Sequence, residues 1–108
     1  MFNNKNILIT GGTGSFGNLF INIILKKFKP NKLIVFSRDE LKQSVMAEKY
    51  PKEKYDCIRF FIGDVRDLSR LKFAMEDIDY VVHAAALKQA NAYYWLIFCK
   101  HSRKLFLI

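Results

Sequence analysis

The segment Thr10-Gly11-Gly12-Thr13-Gly14-Ser15-Phe16-Gly17 limits the fold more than any other part of the chain. Ahead of it, Ile7-Leu8-Ile9 has the aliphatic character of a buried strand. Behind it, residues 18–28 carry apolar side chains at Leu19, Phe20, Ile23, Ile24 and Phe28, the mark of a helix. A strand that turns through glycines into a helix gathers backbone N–H groups at the positive end of a helix dipole. That arrangement receives a pyrophosphate. Gly11 serves the sharp turn off the strand, Gly14 clears the way for a phosphate, and Gly17 lets the helix pack close to the strand. The spacing is Gly-x-x-Gly-x-x-Gly, not the Gly-x-Gly-x-x-Gly of the usual dinucleotide fingerprint, so the flanking strand and helix carry the argument.

The strand-then-helix pattern recurs. Strands are expected over 6–10, 32–37, 58–62 and 79–83, and helices over 15–28 and 40–50. A short helix starts at Asp67 or Ser69 and runs to Met75. Pro30-Asn31 turns the chain into the second strand; Asp39 has the place of an N-cap, and Pro51 closes the second helix. Such alternation predicts an α/β protein, the N-terminal half of a Rossmann-type doubly wound parallel sheet with order 3-2-1-4. Ligands of such sheets bind in the crevice at the switch between strands one and four.

Composition excludes several alternatives. No apolar run approaches the roughly 20 residues of a membrane span, and Met1-Phe2-Asn3-Asn4-Lys5 does not read as a signal peptide, which predicts a cytoplasmic protein. Cys57 and Cys99 lack the spacing of a disulfide framework or a zinc site. His83 and His101 form no metal-ligand pattern, and His83 sits in the apolar run Tyr80-Val81-Val82-His83, a core position. The net charge of +8 is spread from Lys5 to Lys104, mostly as single residues or beside acids. That distribution favours solvated faces over a nucleic-acid stripe, while the positive field still suits a phosphorylated ligand.

The end of the second strand discriminates between nicotinamide cofactors. An acid there holds a ribose 2′-hydroxyl, whereas arginine suits a 2′-phosphate. Ser37-Arg38 occupies that point and favours NADP over NAD. Asp39 is available as a ribose acid but is more simply an N-cap. Asp64-Val65, just beyond the third strand, lies where an adenine edge would rest; the carboxylate is equally readable as a loop cap.

Four segments in order carry a resemblance: the glycine segment, Ser37-Arg38-Asp39-Glu40-Leu41-Lys42, Phe61-Ile62-Gly63-Asp64-Val65-Arg66-Asp67 and His83-Ala84-Ala85-Ala86-Leu87-Lys88. With them the chain resembles the N-terminal part of the inverting UDP-N-acetylglucosamine 4,6-dehydratases. These form the polysaccharide-biosynthesis branch of the extended short-chain dehydrogenases/reductases. The resemblance covers about residues 1–89. It implies a tightly held NADP(H), a nucleotide-sugar substrate, an oligomeric parent enzyme, and an early step toward modified sugars for flagellin, capsule or lipopolysaccharide. In the family the cofactor takes a hydride from the sugar C4, water leaves across C5 and C6, and the hydride returns to C6. By the same resemblance Gly11, Gly14 and Gly17 match the phosphate loop, with Thr13, Ser15 and Phe16 beside it. Ser37 and Arg38 match the 2′-phosphate clamp, and Asp64 and Val65 the adenine pocket. Ala84, Ala85 and Ala86 match a small-residue shelf under the cofactor, and Lys88 the mouth of the site; alanines that start a helix and a solvated lysine are the plainer readings.

After Gln89 the resemblance stops. Residues 90–108 contain no Asp or Glu, and their apolar residues form two blocks without helical or strand periodicity. This pattern suggests a second, non-family segment, as an out-of-frame tail would give. In the family the catalytic acid/base residues and their Tyr-x-x-x-Lys pair lie beyond this point. Tyr93 and Tyr94 are followed four positions on by Ile97 and Phe98, so no catalytic residue is assigned. Three expectations follow: strand four as an exposed edge, a poorly stable product, and little or no dehydratase turnover. A free-standing NADP-binding sensor or interaction module is the alternative function.

Overall fold

The computed structural model describes residues 2–83, and the backbone of 104–107. Five strands form one sheet in the order β3-β2-β1-β4-β5. In chain order the elements are β1 Asn6–Thr10, α1 Ser15–Lys27, β2 Lys32–Ser37, α2 Glu40–Lys49, β3 Ile58–Ile62, α3 Leu68–Ala74, β4 Tyr80–His83 and β5 Lys104–Leu107. Every neighbouring pair is parallel. The 3-2-1-4 half-sheet expected from the sequence is present, with helix and strand ends moved by only a residue or so.

Parallel strands with helices on both faces must be apolar on both sides, and the alternation of side chains divides them between two cores. Ile7, Ile9, Leu33, Val35 and Val82 point to one face, where Ile21, Ile24, Met46 and Tyr50 of the first two helical segments meet them. Leu8, Phe36 and Val81 point to the other, against Val65, Leu71, Ala74, Met75 and Ile78. Phe2 is pinned over the first core by edge-on contacts with Phe20, Phe28 and Tyr80.

The strand register sets up the site. Thr10 pairs with Phe36 on one side and His83 on the other, and Ser37 pairs with Ile62. The carboxyl ends of β1, β2, β3 and β4 therefore finish level, and the loops after them emerge together. Gly11 N–H donates to Phe36 O (3.2 Å) and Gly63 N–H to Ser37 O (2.9 Å), carrying the ladder one residue into two of those loops.

Two expectations are corrected. Strand four is not an edge: the backbone of Lys104–Leu107 adds to it, pairing Tyr80 with Lys104 through His83 with Leu107. A strand edge leaves N–H and C=O groups unpaired, and the short apolar run Leu105-Phe106-Leu107 satisfies them. On α1, Leu19 and Ile23 face outward (59% and 41% exposed), while Ile21, absent from the expected pattern, is fully buried. Among the described residues no helix is long and apolar enough to cross a membrane.

Candidate functional site

The loops after β1, β2 and β3 enclose a cavity of about 460 Å³. Gly11, Thr13 and Gly14 line it from the first loop, Phe36, Ser37, Arg38 and Asp39 from the second, and Gly63, Asp64 and Val65 from the third. Lys42 of α2 completes the wall.

The four glycines of the segment differ in physical cause. Gly11 has φ 70°, a left-handed conformation that L side chains resist. Gly17 is buried beneath the turn, where an added Cβ would overlap the Gly12 backbone. The expected partner of Gly17 was the strand; the neighbour it needs is the turn itself. Gly12 in turn lies on the core, since its Cβ would come within 2.9 Å of Val35 Cγ1. Gly14 is different. Its φ of −79° is ordinary, and a Cβ there would meet only Gly11 O at 3.5 Å. Nothing in the protein's own packing requires a glycine at 14, and the position faces the cavity.

Gly14 also caps α1 without a side-chain hydrogen bond, and the first turn of the helix holds no acid. Its first intrahelical bond at the backbone is Asn18 N–H to Gly14 O, so the N–H groups of Ser15, Phe16 and Gly17 precede the helical ladder. Asn18 ties the turn together from below, donating Nδ2 to Thr13 O (3.1 Å) and Gly14 O (3.0 Å). The helix end is thus a set of donors beside a cavity, with the dipole favouring an anion. Ser15 and Phe16 are exposed in that first turn but are not part of the cavity wall; Phe16 stacks on Phe20.

Ser37 is nearly buried, and its Oγ accepts a 2.9 Å hydrogen bond from Gln43 Nε2. Gln43 Nε2 also reaches Phe61 O at 3.1 Å, joining the ends of β2 and β3. With an acceptor lone pair of Ser37 occupied by an amide donor, its hydroxyl hydrogen is available to the cavity. Asp39 is the N-cap of α2, as its sequence position indicates: Oδ1 accepts from Lys42 N–H at 2.9 Å.

Asp64, on the cavity wall, is flanked by two arginines. Arg66 grips Asp64 with Nε to Oδ1 (3.0 Å) and Nη2 to Oδ2 (2.7 Å), and its backbone N–H adds a 2.9 Å bond to Oδ1. Arg38 Nη1 stands 3.6 Å from Asp64 Oδ2. The Arg66 hydrogen bonds, with Arg38 beyond them, bring the Asp64 carboxyl down to about 2. Val65 turns inward to the second core, next to Phe36 and Leu71. Phe36 and Phe61 stack beneath, and the Arg70 guanidinium lies 4.0 Å from the Phe61 ring centroid.

At the switch point, Thr10 Oγ1 and His83 Nδ1 share a 2.5 Å hydrogen bond between β1 and β4, both side chains fully buried. Burial pushes the His83 pKa down, so the ring is neutral at neutral pH. His83 is a core residue, in keeping with its sequence context. Cys57 is half-buried, and burial raises its thiol pKa, which makes it a poor nucleophile.

The structure therefore brings Gly11, Thr13, Gly14, Ser37, Arg38, Asp64 and Val65 to one cavity. Ser15, Phe16 and Gly17 belong to the adjoining helix end. Ala84, Ala85, Ala86, Lys88, Cys99 and His101 lie outside the described residues. Sequence reading passed over Lys42 and Gln43. Their signal was available: they follow the Asp39 cap by three and four positions, one helical turn, and so return to the strand end that the cap begins.

A level row of strand ends, a glycine turn feeding a helix, and a cationic second loop define a Rossmann-type doubly wound α/β sheet with a cavity at its carboxyl edge. A family model described as polysaccharide biosynthesis protein matches residues 7–96, running past Gln89. The chain belongs to that family. It is 59% identical over 88 residues to a UDP-N-acetylglucosamine 4,6-dehydratase (inverting) of Campylobacter jejuni, covering 82% of this chain and 25% of that protein. It is 52% identical over 92 residues to a UDP-glucose 4-epimerase of Rickettsia bellii, covering 82% of this chain and 26% of the relative. Among solved structures, Pen from Bacillus thuringiensis superposes with TM-score 0.73 at 43% identity, covering 82% of this chain and 26% of that one. The chain spans about a quarter of the length of the curated relatives it matches.

Proposed function

We propose that this chain is the NADP(H)-binding portion of a UDP-N-acetylglucosamine 4,6-dehydratase. The observation that carries the reading is the cavity itself, where a side-chain-free Gly14 beside the α1 N-terminus faces Ser37 and Arg38 across one space. The residues fit a dinucleotide. Gly11, Thr13 and Gly14, with the Ser15–Gly17 amides, would hold the pyrophosphate; Ser37, Arg38 and Lys42 would hold a 2′-phosphate; Val65 and Asp64 would flank the adenine. NADP supplies reversible hydride transfer when bound. The protein's part, within the described residues, is to bind and orient: amide donors and a helix dipole for one anion, a hydroxyl and two cations for the other.

Support for the dehydratase as parent is the 59% identity, against 52% for the epimerase. Both relatives carry a UDP-hexose in their names, so a nucleotide sugar is the substrate proposed for the longer protein. Catalytic groups, oligomeric state and a cytoplasmic setting belong to that parent reading. One observation favours the second reading, a free-standing dinucleotide-binding module: β5 covers the edge of β4 within these 108 residues.

Calorimetric titration tests the cofactor assignment. The chain is expected to bind NADPH more tightly than NADH. Arg38→Ala is expected to weaken NADPH about thirtyfold, the equivalent of about 2 kcal/mol for a charge-assisted contact, and to leave NADH within twofold. Equal affinity for the two dinucleotides in the unaltered chain contradicts the NADP assignment.

A further inference from the structure

Asp64 is more tightly held than a residue waiting for an adenine needs to be. Arg66 takes both of its carboxylate oxygens in a fork and adds a backbone N–H. Arg66 is not part of the cavity wall, whereas Arg38 and Asp64 both are. Arg38 Nη1 comes to 3.6 Å from Asp64 Oδ2, beyond hydrogen-bond length but within strong Coulomb range. Two guanidinium groups thus compete for one carboxylate, and Arg66 has won it.

That competition has a consequence for the ligand. A bidentate arginine–carboxylate pair is close to the best geometry such groups reach, so a carboxylate already forked by Arg66 offers little to Arg38. Without Arg66, the bare Asp64 would take Arg38 into the same kind of pair and occupy the guanidinium donors that a phosphate would need. The local charge would also fall from a net cation, two arginines against one carboxylate, to neutral. Both changes act against a dianion and leave an uncharged ribose hydroxyl unaffected.

We propose that Arg66 is a positioning residue for cofactor choice: by occupying Asp64 it keeps Arg38 free for a phosphate at the ribose end of the cavity. The inference rests on the dinucleotide reading above and deepens it. It assigns the preference for a phosphorylated cofactor to a residue that touches neither the phosphate nor the cavity.

The test compares NADPH and NADH affinities for the full 108-residue chain and three variants. Arg66→Ala is expected to lower the NADPH-to-NADH affinity ratio about tenfold, through a larger loss of NADPH than of NADH affinity. Arg66→Lys, a point charge without the fork, is expected to fall between. Arg66→Ala combined with Asp64→Asn is expected to restore most of the ratio, because an amide cannot capture Arg38 as an ion pair. Taking the ratio cancels any weakening at the adenine, which the two cofactors share. A purely structural role for Arg66 would weaken both dinucleotides alike and gain nothing from Asp64→Asn; that result overturns the inference while leaving the cofactor assignment standing. If the unaltered chain binds neither dinucleotide, or shows no preference for NADPH, the cofactor assignment and the inference fall together.

Discussion

Gly14 and Gly17 stand three positions apart in one motif, yet they answer to different demands. A methyl group on Gly17 collides with the Gly12 backbone, which has no side-chain freedom with which to yield. Gly17→Ala is therefore expected to cost about 3 kcal/mol, the upper end for overpacking, read as a fall in the midpoint of urea unfolding. At Gly14 the same methyl meets only Gly11 O at 3.5 Å, an ordinary contact, at an ordinary φ of −79°. Gly14→Ala is expected to leave the unfolding midpoint nearly unchanged and to weaken NADPH binding at least tenfold, since its methyl would stand where a phosphate must reach the backbone. Loss of stability at 14 comparable to that at 17 would contradict the division. Sequence spacing alone shows glycines at both places; only the packing distinguishes the one kept for the fold from the one open to a ligand. The pairing of Asp64 with Arg66 is similarly invisible in the sequence, where an acid two residues before an arginine is commonplace.

At the scale of elements, helix starts were the most legible feature, because caps are local chemistry. Asp39 accepts from Lys42 N–H at 2.9 Å and Asp67 from Arg70 N–H at 3.2 Å. The choice between Asp67 and Ser69 as the start of the third helix falls to Asp67. Asp39→Ala is expected to cost about 1 kcal/mol, a fall of about 5 °C in Tm, with a smaller or equal effect at Asp67 because its bond is longer. A rise in Tm from Asp39→Ala would show that the carboxylate is held for another purpose at a stability cost. The buried face of α1 was less legible. Leu19, Phe20, Ile21, Ile23, Ile24 and Leu25 surround the helix, so periodicity cannot select one side. The choice is made by contact: Gly17 must lie on the turn, and that rotation sends Ile21 and Ile24 into the sheet and leaves Leu19 outside. The strand at 104–107 was illegible for a related reason, since four residues are too few to show a period and the pairing that fixes them lies far off in sequence.

For the molecule as a whole, the strand order was readable because alternating elements and right-handed crossovers leave few arrangements for a parallel sheet. The register then does what no motif states: it levels Thr10, Ser37, Ile62 and His83 so that three loops close on one cavity. We propose that this cavity is a dinucleotide site. Amide chemical-shift mapping during titration with NADP tests it most directly, because the same spectrum reports both fold and location. Saturable shifts are expected at Gly11, Thr13, Gly14, Ser37, Arg38 and Asp64, weaker ones with NAD, and little change at the opposite ends of the strands near Lys5, Lys32 and Cys57. A dispersed spectrum with no saturable shifts, or with shifts confined to that opposite end, would contradict it.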